Sequence, residues 1–425
     1  MSVGASTASL RLMIVAGEAS GDAHAASLVR ALREAAPEVS FEFFGATGRR
    51  MREAGVESIV ATDDLSITGL VEIGSALKLF WRAYQTLKRV GRERRPDAVI
   101  LVDWPDFNLR LARFFHRRGT RVVYYISPQL WAWRAYRAGS IRRDVDLLLA
   151  ILPFEPEWYA ARGISHVEFT GHPLTGEVRA RYGREEFCRR HRLDAARPVV
   201  ALLPGSRHKE LLRILPHMLE AARVIYRARP DAQFVVALAP NRPHTEAEAI
   251  INSVSGARAD NDGGGAAFAG SLRIVRDETR EALAASDAAA VASGTATLEA
   301  ALLETPLVVV YKESFLNWHT LGRLISTEHF GLVNLVAGER LAPELMQNDF
   351  TGTALAAELL KLLDRDRNAA TRERLRRATE ALGAGGASAR AAQAILRALG
   401  QWRRQIEAKR PEQGRVKPSG GQNNS

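Results

Sequence analysis

The first residue in this chain whose type and position suit chemistry is a carboxylate placed where a strand runs out. Asp103 closes the apolar run Val99-Ile100-Leu101-Val102 and precedes Trp104-Pro105-Asp106-Phe107-Asn108. At the carboxyl end of a buried strand an aspartate faces a crevice, where it can take a proton from an attacking hydroxyl. Asp106 competes for that role. Asp106 and Asn108 equally suit the cap of the helix that follows, and Pro105 favours such a start.

Three turns of small residues offer seats for an anion. Gly17-Glu18-Ala19-Ser20-Gly21-Asp22 follows the first apolar run, so Ser20, Gly21 and Asp22 open a helix whose amides can face a phosphate or a sugar. A turn needed only to pack strand against helix fits the same residues. Pro204-Gly205-Ser206-Arg207 repeats the pattern, with Gly205 and Ser206 at converging amides and a guanidinium fork at Arg207 that matches phosphate oxygens. A solvated arginine is the plainer alternative. In Ser293-Gly294-Thr295-Ala296-Thr297-Leu298-Glu299, the residues Ser293, Gly294 and Thr295 present amides and hydroxyls to a pyrophosphate at the positive end of a helix. Glu299 lies one turn deeper on the same face, where its carboxylate can accept from a ribose diol. A capped helix with a surface glutamate would read the same way.

Ser127-Pro128-Gln129-Leu130-Trp131-Ala132-Trp133-Arg134 brings two indoles beside an arginine, suited to a sugar or acyl platform or to packing a loop. His172, in Thr170-Gly171-His172-Pro173, suits a structural hydrogen bond at a hinge better than catalysis. The ten histidines show no ligand spacing, so no metal site is predicted. Neither G-x-G-x-x-G nor G-x-x-x-x-G-K-[ST] occurs, which argues against a dinucleotide site and a P-loop. Cys188 is the only cysteine, excluding an intrachain disulfide and a cysteine zinc cluster and favouring a reducing cytoplasm. No run reaches membrane-spanning length, and a net charge of +11 favours anionic partners without choosing among them.

The elements that must position these residues recur in one rhythm. Apolar runs at Leu12 to Ala16, Phe41 to Phe44, Ala98 to Val102, Val122 to Ile126 and Leu147 to Leu152 alternate with helical stretches such as Gly21 to Ala35 and Leu109 to Arg117. After a helical stretch from Glu177 to Arg192 the rhythm restarts, with strands at Val199 to Leu203, Phe234 to Leu238, Ala288 to Ala292 and Leu307 to Val310. Continuous apolar strands alternating with helices predict parallel sheets covered on both faces. The expected fold class is α/β, two Rossmann-like doubly wound domains facing across a cleft. The expected divisions are an N-terminal domain at 1–175, a second at 176–375, a helical segment at 376–408 and a disordered tail at 409–425. Ser255 to Gly265 is expected to be a mobile surface loop. The stretch from Leu65 to Tyr84 is either a membrane-interface surface or a core-facing helix.

Seven collinear motifs together resemble the lipid-A-disaccharide synthase family of GT-B glycosyltransferases, from Leu12 to Leu399. They are VAGEASGDAHAA at Val15 to Ala26, VDWPDFN at Val102 to Asn108, SPQLWAW at Ser127 to Trp133, LPFE at Leu152 to Glu155, LPGSR at Leu203 to Arg207, ASGTATLE at Ala292 to Glu299 and NLVAG at Asn334 to Gly338. The resemblance implies an inverting transfer of 2,3-diacylglucosamine from its UDP derivative to 2,3-diacylglucosamine 1-phosphate, giving a β-1,6-linked disaccharide phosphate and UDP. It implies Asp103 as base, nucleotide contacts at Arg207, Ser293, Gly294, Thr295 and Glu299 with Asn334 and Gln347 nearby, and no cofactor beyond the UDP of the donor. It further implies a homodimer exchanging carboxy-terminal segments, an acylated sugar phosphate acceptor, the cytoplasmic face of the inner membrane as a partner surface, and no nucleic acid. Two positions depart from the family pattern, Ala25 in place of glycine and Val333 in place of proline. The motifs VDWPDFN and SPQLWAW argue against a UDP-GlcNAc 2-epimerase of the same two-domain class; a catalytically silent lipid- or nucleotide-binding protein is the alternative from outside the enzymes.

Overall fold

The computed structural model describes residues 9–63, 73–132, 134–256, 264–313 and 329–408. Among the described residues thirteen parallel strands form two sheets. The first has the order β3-β2-β1-β4-β5-β6-β7, with β1 Ser9–Ala16, β2 Ser40–Thr47, β3 Glu57–Ala61, β4 Ala98–Val102, β5 Arg121–Tyr125, β6 Leu147–Ala150 and β7 Val167–Phe169. The second has the order β10-β9-β8-β11-β12-β13, with β8 Val199–Leu203, β9 Gln233–Leu238, β10 Leu272–Arg276, β11 Ala288–Ala292, β12 Leu307–Tyr311 and β13 Glu344–Met346.

Strands β4, β8, β9 and β11 are buried along their whole length, which is why they read as apolar runs, interrupted only by the buried Gln233 at the start of β9. Each sheet has an apolar core on both faces. In both sheets the strand order reverses beside the first strand, between β1 and β4 and again between β8 and β11. At such a reversal the connections leave to opposite faces and open a crevice beyond the strand ends. The glycine turn after β1, Asp103 after β4, Gly205 after β8 and Ser293 after β11 all stand at these two crevices.

The chain crosses between the sheets twice, side by side. His172 N donates to Leu382 O at 2.9 Å, and Arg390 Nε donates to Thr170 O at 2.7 Å. After the second crossing the helix Ala387–Ala408 returns to the first sheet, where Ala391, Ala392, Ile395 and Leu399 join the core beside the helix Ala19–Ala35. A further cluster bridges the two units, with Trp131, Leu152 and Leu174 meeting Leu298 and Leu382.

Two expectations change. The single helix from Glu177 to Arg192 is two short helices, Leu174–Glu177 and Arg184–Arg190, because Arg181 between them is drawn to the buried Glu281. The loop from Ser255 to Gly265 is shorter than expected: its first two residues end the helix His244–Gly256 and its last two begin Gly264–Gly270, while 257–263 lie outside the described residues. The tail at 409–425 also lies outside them.

Candidate active site

A cleft of about 640 Å³ opens at the carboxyl ends of β8, β9 and β11. Its floor is the start of the helix Thr295–Leu302, entered through Gly294 at φ 148°. A Cβ on Gly294 would meet nothing within 4 Å, so the demand for glycine is conformational and the space above it is open. Thr297 Oγ1 turns inward to Gly294 O at 2.8 Å and Ser293 Oγ donates to Phe330 O at 3.0 Å. Thr295 stays exposed, leaving the first amides of this helix to a ligand.

Glu299 lines the same cleft, and its Oε1 already accepts Arg280 Nε at 3.0 Å. Arg280 in turn donates to Glu177 O at 2.8 Å, tying the helix Thr295–Leu302 to the segment that links the two units. The sequence reading missed Arg280, as well as Arg179 and Arg181, which also line the cleft. Only their proximity in space marks them, since no motif contains them.

Gly205, Ser206 and Arg207 line the opposite wall, with one qualification to the expected anion seat. The amides of Ser206 and Arg207 donate to Glu210 Oε2 at 3.0 and 3.1 Å, so the start of the helix His208–Ala228 is capped by its own carboxylate. An anion finds amides without a side-chain cap at Gly294 rather than here. The Arg207 side chain, 83% exposed, pairs loosely with Glu210 and remains able to reach into the cleft.

On the first sheet, Asp103 and Trp104 adopt left-handed backbone in succession, at φ 49° and 50°. For L-residues each costs about 1–2 kcal/mol, so the surroundings must hold the turn. Trp104 stacks on Phe107 at 4.0 Å and lies over Gly17, where any Cβ would strike the indole at 2.0 Å. Burial, and then the nearby Glu18 carboxylate, push the Asp103 carboxyl above the ordinary aspartate range, opposed by the Trp104 N–H it accepts. Asp106 differs. Burial pushes it up, but the guanidiniums of Arg137 and Arg134 together outweigh that push and hold it below the ordinary range, and its side chain is 61% exposed. A carboxylate clamped by two cations is a poor base; one desolvated beside a like charge is a better one.

Several expected site residues have other work. Asp22 is 4% exposed and accepts the amides of Gly48, Arg50 and Met51, capping the short helix Arg49–Glu53 instead of meeting a ligand. Asn334 is fully buried; its side-chain amide donates to Ala342 O and Glu344 Oε1 and accepts Ala342 N, all at 2.8 Å, so both of its donor hydrogens are already engaged within the fold. Gln347 follows β13 in left-handed backbone, with its side-chain amide against the Glu313 peptide. Neither Asn334 nor Gln347 lines the cleft. Ser20 is exposed at the start of the helix Ala19–Ala35 and Gly21 is buried there; with Asp103 they stand at the first sheet's crevice, outside the 640 Å³ cleft.

Trp131 is a packing residue. It is 6% exposed in the bridging cluster, and its Nε1 donates to the buried Glu155 at 3.1 Å. Trp133 lies outside the described residues. His172 accepts Leu174 N at 3.2 Å and is pushed down to about 4 by burial and by His24, a neutral structural histidine. In the stretch from Leu65 to Tyr84, residues 64–72 and the side chains of Ile73 and Leu77 lie outside the described residues. Of the remainder, Phe80 packs on Trp104 at 5.6 Å, whereas Trp81 is 62% exposed beside Tyr84, with Lys88 over the Tyr84 ring at 4.9 Å. Among the described residues no helix is long and apolar enough to cross a membrane, and no group of three or more His, Cys, Asp or Glu side chains is placed to hold a metal ion.

A family model described as lipid-A-disaccharide synthetase matches residues 12–398. The lipid-A-disaccharide synthase of Geobacter sulfurreducens is 41% identical over 392 residues, covering 92% of this chain and 98% of the relative. That of Syntrophus aciditrophicus is 44% identical over 382 residues, covering 90% and 96%. Among solved structures, UDP-GlcNAc 2-epimerase from Neisseria meningitidis bound to UDP-GlcNAc superimposes with a TM-score of 0.60 at 11% identity, covering 91% of this chain and all of that one. The calicheamicin glycosyltransferase CalG4 gives 0.54 at 14% identity, covering 93% and 99%. At such identities these two establish the GT-B fold alone.

Proposed function

This chain belongs to the lipid-A-disaccharide synthase family, and we propose that Asp103 is the base of its transfer reaction and the helix start at Gly294 the seat of the departing UDP. It is a glycosyltransferase of lipid A biosynthesis. In the proposed reaction the acceptor's 6-hydroxyl attacks the anomeric carbon of the UDP-linked sugar from the face opposite UDP. As the new C–O bond forms, the hydroxyl proton passes to the Asp103 carboxylate; the bond to the diphosphate breaks and its electron pair leaves on UDP. Glu299 takes the ribose hydroxyls, while the amides at Thr295 and Ala296, with Arg207, meet the diphosphate charge.

The observation that carries this reading is the contrast between two aspartates three residues apart, Asp103 desolvated at a strand end and Asp106 clamped by two arginines. Asp103→Asn keeps the shape and loses proton acceptance, so turnover should fall roughly 100- to 10,000-fold while UDP binding persists. Near-normal turnover in Asp103→Asn together with a dead Asp106→Asn would move the base to Asp106.

Two further parts of the reading concern partners. The exposed Trp81, with Tyr84 and Lys88, would dock the first unit on an anionic membrane surface and admit acylated substrates. A homodimer would form by exchange of the segment from Ala387 onward, since its contacts with the first unit could be made unchanged by a second copy. Sedimentation velocity of full-length protein against a chain ending before Ala387 tests the second; a dimer that survives that truncation overturns it.

A further inference from the structure

We propose that Tyr124 and Asn108 are positioning residues that hold Asp103 in its left-handed turn and so aim its carboxylate at the crevice. The inference rests on Asp103 being the base. Tyr124 sits on β5 opposite Leu101 of β4, with no exposed surface. Its hydroxyl donates to Asp103 O at 2.6 Å. Asn108, also without exposed surface, reaches back from the first turns of the helix Pro105–His116, and its Nδ2 donates to Asp103 O at 2.8 Å and to Val102 O at 3.2 Å. This is not helix capping, in which a side-chain oxygen accepts from the helix amides; here the side chain donates to the strand it has left.

The peptide of Asp103 is therefore fixed at every polar point. Its N–H donates to Tyr125 O at 3.2 Å, and its carbonyl takes two side-chain donors. Trp104, wedged between Gly17 and Phe107, fixes the following residue. The carboxylate beyond this fixed peptide accepts the Trp104 N–H. Within a parallel strand packed on both faces, phenylalanine would fill the position of Tyr124 without the cost of burying a phenol. The carbonyl of Asp103 is the partner that its hydroxyl meets. Asn108 Oδ1 has no hydrogen-bond partner, so this amide is held in place by what its nitrogen donates.

Tyr124→Phe removes the hydroxyl and nothing else. With purified enzyme and acylated donor and acceptor, UDP release should show kcat lowered about 10- to 100-fold, the scale of a small misplacement of a reacting group, with the donor KM within about twofold of wild type and the melting temperature nearly retained. Asn108→Leu, which removes the other donor at similar volume, should show the same split. The deciding comparison is with Asp103→Asn. If both residues act through Asp103, Asp103→Asn/Tyr124→Phe is no slower than Asp103→Asn alone. Losses that multiply instead would overturn the proposal, as would wild-type kcat in folded Tyr124→Phe and Asn108→Leu when Asp103→Asn is inactive. Normal turnover in Asp103→Asn itself would bring down the base assignment, and the positioning role with it.

Discussion

Glu155 carries a measurable penalty at neutral pH. It has no exposed surface, lies beneath the cluster that joins the two units, and is pushed up to about 7 by burial. The Ser127 hydroxyl opposes that push, and so do three N–H donors: Leu152 N at 2.9 Å, Trp131 Nε1 at 3.1 Å and Ile151 N at 3.0 Å. Because the folded value lies above the ordinary 4.5, the native state holds a proton that the unfolded chain has released. The associated stability is fully present below pH 4.5 and is lost as pH rises to about 7. At about 1.36 kcal/mol per pH unit across that window the loss is roughly 3 kcal/mol. Glu155→Gln cannot titrate. It also cannot accept from all three donors, which lowers its stability by about 1–3 kcal/mol at every pH. The quantity to measure is the stability difference between wild type and Glu155→Gln by urea unfolding from pH 5 to pH 8. Wild type should lose its advantage by about 2.5 kcal/mol over this range, most of it before pH 7. A difference that stays constant within about 0.5 kcal/mol would show that Glu155 is ionised throughout, its donors having outweighed its burial.

Glu299→Ala should weaken UDP binding by tenfold or more, the worth of about 1.5 kcal/mol for a hydrogen bond to a charged group, with no loss of melting temperature; unchanged affinity by calorimetry removes the ribose contact. Asn334→Ala should do the reverse, because it strands the buried N–H and carbonyl of Ala342 at about 1–3 kcal/mol each, lowering the melting temperature while UDP affinity per folded molecule holds. A stable Asn334→Ala that binds UDP poorly would return this residue to the nucleotide site. Trp81→Ser should reduce sedimentation with anionic liposomes and leave the fold intact, whereas Phe80→Ser should destabilise the first unit by opening the contact with Trp104; equal liposome binding by wild type and Trp81→Ser rules out that face.

The central strands were legible because burial on both faces leaves no polar interruption, as in Ala98–Val102 and Val199–Leu203. The edge strands were not. Glu57–Ala61, Val167–Phe169, Leu272–Arg276 and Glu344–Met346 are short, and each presents half-buried or exposed side chains. An edge strand needs apolar contact on fewer sides, so its sequence is free to look like a loop. The helix start at Gly294 was legible for a related reason: small residues at the seam of strand and helix leave the amides open, and their types announce it. Asp22 misled because a carboxylate that caps a neighbouring helix has the same type, in the same kind of turn, as one that binds a ligand. Its partners, 26 to 29 residues away, decide which it is.

Backbone conformation was the largest part hidden from the sequence. Non-glycine residues with left-handed backbone gather where strands end: Asp103 and Trp104 after β4, Ile126 after β5, Asp277 after β10 and Gln347 after β13. Aspartate adopts this conformation more readily than most residues, but Trp104 and above all the β-branched Ile126 are poorly suited to it, so residue type does not foretell the pattern. The explanation lies in the surroundings. At Asp103 the strain is balanced by a tyrosine hydroxyl from the next strand and an asparagine amide from the next helix, and each is unremarkable in its own stretch of sequence. A base whose direction depends on strain cannot be recognised by its own position alone. It becomes visible once the residues that oppose that strain are seen to converge on one carbonyl, and the same convergence is why a single buried hydroxyl should matter to turnover more than to folding.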